Sequence, residues 1–250
     1  MYNVMICGAL GRMGKVLASR IEETNHLKIV CGYDRKEDFE LNFPIYTDIT
    51  KIKEMSDVII DFSHADMTLE ILKYAKDKKI PIVIATTGFN DEQENVIKEY
   101  SKIIPIFKSA NMSFDITLMC KIVSYLAPIL SNTDIEITET HHRNKVDSPS
   151  GTALLLANSI NNSLGNKMDY VFDRHSKSCK RSDNEIGFSS IRGGNIVGEH
   201  TVQFFGPNET FEIKHTSYSR AVFADGAIKA ASFIIDKEPG FYTMNDLVKY

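Results

Sequence analysis

The sequence predicts an α/β protein in two parts: a mostly parallel sheet flanked by helices, then an α+β region built on an open mixed sheet. Three observations carry this. From residue 4 to about 113, short apolar runs alternate with helix-length stretches, as in strand–helix–strand units. Beyond residue 134 the rhythm changes, and long strand-like stretches at 187–192, 196–205 and 210–218 follow one another directly. Between them stand Gly193-Gly194-Asn195 and Gly206-Pro207-Asn208, the turn chemistry of antiparallel hairpins.

The length of 250 residues suits one large domain or two modest ones. With 43% hydrophobic and 25% charged residues, the composition is that of an ordinary globular chain. The net charge of −4 gives nucleic-acid binding no electrostatic support. No apolar run reaches membrane-spanning length, and Met1-Tyr2-Asn3 enters a strand directly, without a signal peptide. Cys7, Cys31, Cys120 and Cys179 form no C-x-x-C pair and read as reduced and mostly buried. A cytoplasmic protein is the expectation.

Val4-Met5-Ile6-Cys7 is the first strand. Gly8-Ala9-Leu10-Gly11-Arg12-Met13-Gly14 follows, then a helix carrying Val16, Leu17 and Ile21, then a strand over 27–33 that ends at Asp34. This is a Rossmann-like βαβ unit, spaced G-x-x-G-x-x-G, in which a backbone with few side chains can approach a pyrophosphate at a helix N-terminus. Gly8 through Met13 are therefore candidate cofactor contacts. Asp34, at the end of the second strand, suits the ribose hydroxyls, and the Arg35 guanidinium suits a 2′-phosphate, so NADH and NADPH both stay open.

Residues 38–53 contain Pro44 and read as a loop with a short strand. Residues 57–62 are a buried parallel strand. Ser63 and His64 start a helix through Leu69, Leu72 and Ala75, and His64 reads as structural. A strand over 81–85 ends in Thr86-Thr87-Gly88, at the carboxyl edge where such sheets bind ligands. A helix over 91–100 and a strand over 103–108 lead to Ser109-Ala110-Asn111-Met112-Ser113.

A long helix at 114–130 opens the second part. Residues 134–140 alternate Ile135 and Ile137 with polar residues, a strand with one buried face. If extended geometry persists, His141 and His142 point to opposite sides and have separate jobs. Two His, an Arg and a Lys then fall within 141–145, just ahead of a helix over 150–164 closed by Gly165. Asp147 or Ser148 is the expected N-cap, with Pro149 in the first turn. Cations ahead of free helix amides suit an anion, so the Ser150-Gly151-Thr152 start is a candidate carboxylate site. Residues 166–185 are polar and irregular, with a short strand near 170–172. An apolar helix over 224–236 precedes Pro239-Gly240 and a short tail.

The stretch from Glu139 to Ala153 reads E-x-H-H-x-x-K-x-D-x-P-S-G-T-A and resembles the signature of the dihydrodipicolinate reductase (4-hydroxy-tetrahydrodipicolinate reductase) family of lysine and diaminopimelate biosynthesis. Ser148 stands where that family usually has Ala. The resemblance implies a cyclic imine with two carboxylates, reduced by hydride from NADH or NADPH. It implies Lys145 and His141 as catalytic residues, and His142 with Ser150, Gly151, Thr152 and Thr87 as substrate ligands. The family's T-T-G and A-N-x-S turns touch the nicotinamide end. Here they correspond to Thr86-Thr87-Gly88 and Ala110-Asn111-Met112-Ser113, with Met112 at an often aromatic position, and Ala85 and Ser109 beside them are taken as cofactor contacts too. Arg192 to His200 resembles the family's signature in the sheet through which it forms a homotetramer. The implied domains are 1–112 with 221–250 for the dinucleotide, and 113–220 for substrate binding and tetramerisation.

Two other classes compete. A metal-dependent hydrolase on His141, His142 and Asp147 lacks the i, i+4 ligand face, and no Cys or Glu-x-x-His supports it, so no metal is expected. A dinucleotide-binding sensor would have no use for the E-x-H-H-x-x-K segment. His175, His200 and His215 have no partners nearby in sequence and read as structural.

Overall fold

Strand β1 (Tyr2–Cys7) lies between β2 (Leu27–Tyr33) and β4 (Val58–Asp61), parallel to both. The computed structural model describes residues 1–38, 41–176 and 179–248. They form two compact units, Met1–Phe114 with Arg220–Tyr250, and Asp115–Ser219.

In the first unit, β3 (Ile45–Tyr46) flanks β2 on one side. On the other, β4 is followed by β5 (Ile82–Ile84), β6 (Pro105–Lys108) and β12 (Gly240–Tyr242), giving a seven-stranded parallel sheet. The period of two along β1 divides its side chains between two cores. Val4 and Ile6 pack with Leu17 and Ile21 of α1 (Arg12–Glu22) and with Ala227 and Ala231 of α6 (Ala221–Ile234). Met5 and Cys7 pack on the other face with Leu72 and Ala75 of α2 (Ala65–Lys78) and Ile97 of α3 (Asp91–Ser101). Strand order reverses at β1, so the crevice at its carboxyl end is the place for a ligand.

Strand β12 and the one-turn helix α7 (Met244–Leu247) lie in what the sequence shows only as a tail. Three residues are too few to display a period; pairing of Gly240 to Tyr242 with Pro105 to Phe107 makes them a strand.

The second unit contains α4 (Phe114–Ile129, its first residue counted with the first unit), β7 (Asp134–His141), α5 (Gly151–Ser163), β8 (Asp169–Val171), β9 (Glu185–Arg192), β10 (Gly198–Phe205) and β11 (Thr210–Ser217). The sheet order is β11-β10-β7-β9-β8. β10 and β11 form the expected hairpin, whose turn carries a bond from Gly206 N–H to Glu209 C=O of 2.8 Å. β9 and β10 do not form one, contrary to the Gly193-Gly194-Asn195 signal. β7 lies between them, parallel to β9 and antiparallel to β10. The physical reason is burial: Ile135 and Ile137 gain Ile186 and Phe188 on one side, Phe204 and Val202 on the other. Residues 193–197 easily bridge two inter-strand spacings, roughly 10 Å, across the end of β7. The apolar side of this sheet packs against α4 and α5. The other side carries Thr138, Thr140, Thr201, Gln203, Glu212 and Lys214, all half-buried or exposed.

The start of α5 also differs from expectation. Its N-cap is Ser150, whose hydroxyl accepts from Ala153 N–H, and the Ser148–Pro149 peptide ahead of it is cis. Neither Asp147 nor Ser148 caps the helix. Ser150 does so because its extended backbone aims the side chain at the first turn, while its own N–H is bound elsewhere.

Candidate active site

In the first unit, Gly8 follows β1 at φ +73°, a conformation few side chains tolerate. A Cβ on Gly14 would lie 2.2 Å from the Gly8 carbonyl oxygen, so the first turn of α1 can press onto this loop only without one. Gly11 is the N-cap and supplies no side-chain cap, leaving the α1 amides to a ligand. Asp34 Oδ2 accepts from Leu10 N–H at 2.8 Å and Oδ1 from Arg35 N–H at 2.7 Å. Each oxygen keeps acceptor capacity for a hydroxyl. The Arg35 residue is exposed. Ala85 and the buried Thr86 follow β5, and Thr87 is exposed. The 109–113 turn is internally braced: Ser109 Oγ donates to Asn111 C=O at 2.7 Å, and Asn111 Oδ1 accepts from Ser113 N–H at 2.8 Å. Ala110 is exposed, whereas the Met112 side chain is only 3% exposed and belongs to the core around β1 and α6. The cradle fits a dinucleotide.

Sequence reading missed Asp61 as a support of this crevice. It is fully buried at the end of β4, where Ser63 Oγ donates at 2.5 Å and Thr68 Oγ1 at 2.6 Å. Burial raises its pKa, against the pull of these hydrogen bonds. Its period-two position in an apolar run, followed by Ser63, was the available signal.

In the second unit, the core face of β7 turns from apolar to polar at its carboxyl end. Glu139 is 1% exposed, and its carboxylate gathers donors from Arg192, Ser150, His141 and Ser190. Arg192 Nη2 and Nη1 donate to Oε1 and Oε2 at 2.7 and 2.9 Å. Ser150 N–H donates to Oε1 at 3.2 Å, and His141 Nδ1 lies 2.5 Å from Oε2. Burial pushes the Glu139 carboxyl up, but Arg192, Ser190 and His141 outweigh it and hold it at about 2. Burial lowers His141, against the opposing pull of Glu139. His200 stands edge-on to His141, ring centroids 5.0 Å apart, with Nε2 3.0 Å from Ser150 Oγ. Burial, the largest cause, pushes His200 down to about 3, so it is neutral.

The loop after β7 carries the cations. Lys145 Nζ is 2.7 Å from Asp147 Oδ1, and Arg192 Nη2 also holds the Asp147 carbonyl at 2.7 Å. Gly193 N–H donates to His141 C=O at 3.0 Å and Arg143 N–H to Gly194 C=O at 3.2 Å, which zips this loop to the β9–β10 connection. His142 Nδ1 is buried without a hydrogen-bond partner among the described residues. Ser150 is spent structurally: its hydroxyl and N–H are both engaged, and it is 2% exposed. Gly151 is exposed and Thr152 half-buried at the helix start. His141, His142, Lys145, Gly151 and Thr152 thus surround one end of the sheet. Sequence reading missed Glu139 as the hub, Arg192 as its clamp, and His200. Arg192 and His200 had been read as part of an assembly signature and as structural, respectively. The period-two relation of Glu139 to His141 was a signal; the pairing of β9 and β10 with β7 was not readable. Among the described residues no group of three His, Cys, Asp or Glu could hold a metal ion.

The N-terminal model of dihydrodipicolinate reductase matches residues 2–112, and the C-terminal model matches 115–248. The chain belongs to the dihydrodipicolinate reductase family. It is 49% identical over 249 residues to the 4-hydroxy-tetrahydrodipicolinate reductase of Caldanaerobacter subterraneus subsp. tengcongensis, covering 100% of this chain and 99% of the relative. It is 47% identical over 251 residues to the 4-hydroxy-tetrahydrodipicolinate reductase of Clostridium novyi, with the same coverage. Among solved structures, the dipicolinate-bound dihydrodipicolinate reductase from Paenisporosarcina sp. TG-14 shares the fold at a TM-score of 0.83. That match spans 100% of both chains at 23% identity. The family membership accounts for both units, and the E-x-H-H-x-x-K segment lies in the reductase C-terminal part.

Proposed function

We propose that the chain reduces 4-hydroxy-tetrahydrodipicolinate to tetrahydrodipicolinate, using NADH or NADPH, in lysine and diaminopimelate biosynthesis. The observation that carries this is the cluster at the end of β7: His141, His142 and Lys145 beside the amides of α5, within a chain of this family throughout. Gly8 to Met13 and Asp34 would hold the dinucleotide, with Ala85 to Thr87 and Ser109 to Asn111 toward its reactive end. Loss of the substrate's 4-hydroxyl as water gives the conjugated imine, to which the nicotinamide, when bound, would supply hydride. The chain's own residues then have two tasks. Gly151, Thr152 and His142 hold a carboxylate by amides, a hydroxyl and an imidazole. Lys145 and His141 supply the proton that balances the charge left on the substrate carbon.

The division at Phe114/Asp115 and Ser219/Arg220 supports assigning dinucleotide binding to 1–112 with 221–250 and substrate binding to 113–220. Helices α4 and α5 cover only one side of the second sheet, which supports a homotetramer assembled through the other side. A cytoplasmic site of action goes with this reading; no helix among the described residues is long and apolar enough to cross a membrane. The test is direct. Purified protein should oxidise NADH or NADPH only when 4-hydroxy-tetrahydrodipicolinate is supplied, and absence of that dependence overturns the reading.

A further inference from the structure

We propose that Glu139, clamped by Arg192, is a positioning residue for His141: it accepts the Nδ1 proton, fixes the tautomer, and leaves Nε2 as the atom that exchanges protons. The inference rests on the reading of this cluster as the reducing site.

Oε1 of Glu139 takes Arg192 Nη2 and the Ser150 amide; Oε2 takes Arg192 Nη1 and His141 Nδ1. With the Ser190 side chain as a further donor, the carboxylate is ionised and has only acceptors to offer. His141 can meet it only with an N–H. A neutral imidazole has one such group, so Nδ1 carries the proton and Nε2 is bare. The ring cannot swing away, because the fork of Arg192 fixes the carboxylate and His200 closes one side at 5.0 Å. The Nε2 edge faces Gly198, where a Cβ would come within 3.0 Å. A glycine keeps that edge uncrowded.

The charge arrangement agrees. The ionisable groups around His141 are Glu139 on its own strand, Lys145 in the following loop, Arg192 on β9 and neutral His200 on β10. Arg192 opposes the charge of Glu139, and burial outweighs the upward pull that remains, so the carboxylate orients the ring without forcing it into a permanent imidazolium. With Lys145 beside it, and buried, the resting ring is neutral. A bound dianion adds negative charge and reverses that balance, which lets Nε2 carry a proton to the substrate. The same carboxylate also holds the Ser150 amide, so one residue sets both the imidazole and the start of the carboxylate-binding helix.

The test is histidine-selective 15N NMR of the full chain, with the His141 signal assigned through His141→Ala. The wild-type spectrum should show Nδ1 protonated and Nε2 bare. In Glu139→Ala the tautomer should become mixed, and kcat should fall about 10²-fold, as for a lost orienting partner, while NADH and NADPH affinities stay at wild-type values. A wild-type proton on Nε2 overturns the proposal. So does an unchanged tautomer in Glu139→Ala, whatever its rate. If Glu139→Ala fails to fold, the wild-type spectrum still decides. The spectrum needs no turnover, so a protein without reductase activity would sink the functional reading and leave this one to be judged separately.

Discussion

Lys145 Nζ rests 2.7 Å from Asp147 Oδ1, and the Asp147 carboxylate also interacts with the Gly151 backbone at the start of α5. Lys145 holds the Asp147 carboxyl below its usual range. A side-chain carboxylate thus sits where the site offers a cation and a helix amide to an anion. On the proposed reading, an arriving dicarboxylate would meet donors already arranged for an anion, with Lys145 held in place.

Lys145→Ala and His141→Ala should each lower kcat by about 10²–10⁴-fold, the range for a lost general acid. Affinity for the nicotinamide cofactor should stay near wild type, because its candidate ligands are in the first unit. Steady-state kinetics with cofactor titration checks this. A Lys145→Ala enzyme with most of its kcat would move the proton to His141 or water.

His142→Ala and Thr152→Ala should raise the substrate KM more than they lower kcat, the pattern for binding that is equal in ground and transition states. A fall in kcat at unchanged KM would place either residue in the chemistry instead.

Gly14→Ala puts a Cβ 2.2 Å from the Gly8 carbonyl oxygen. The helix and loop must separate, so stability should drop by about 1–3 kcal/mol, and cofactor affinity should weaken with it. Thermal melts and a fluorescence titration of NADH read both; a wild-type affinity would show that the loop geometry is not required.

Arg35→Ala should raise the KM for NADPH and leave that for NADH alone, since only the former has a 2′-phosphate. An unchanged NADPH KM makes Arg35 a surface residue.

Acid should unfold the chain through the cluster at the end of β7. Glu139 is depressed from 4.5 to about 2, so its contribution is intact above pH 4.5 and is lost as pH falls toward 2. His200 is depressed from 6.5 to about 3, so it acts in the same direction at higher pH: the unfolded chain binds its proton first. The melting temperature should decline below pH 6.5 and steepen below 4.5. Glu139→Gln should be less stable at neutral pH and flatter below 4.5; a parallel curve would remove Glu139 from the acid response.

The element pattern was legible from residues 4 to 113 because a parallel sheet buries its strands on both faces and separates them with helices. Each segment then announces itself by composition and period alone. The Gly8–Gly14 loop, Asp34 and the E-x-H-H-x-x-K segment were legible for a related reason: their chemistry needs particular residues at short fixed spacings. What sequence could not decide was which strands would be neighbours. Gly193-Gly194-Asn195 has the local chemistry of a hairpin, yet β7 enters between β9 and β10, because Ile135 and Ile137 bury more fully with apolar neighbours on both sides. That non-local pairing carries Arg192 from 53 positions away onto Glu139 and sets His200 against His141. Local spacing named the candidate groups, while long-range strand pairing, driven by burial, chose the neighbours that hold them in place.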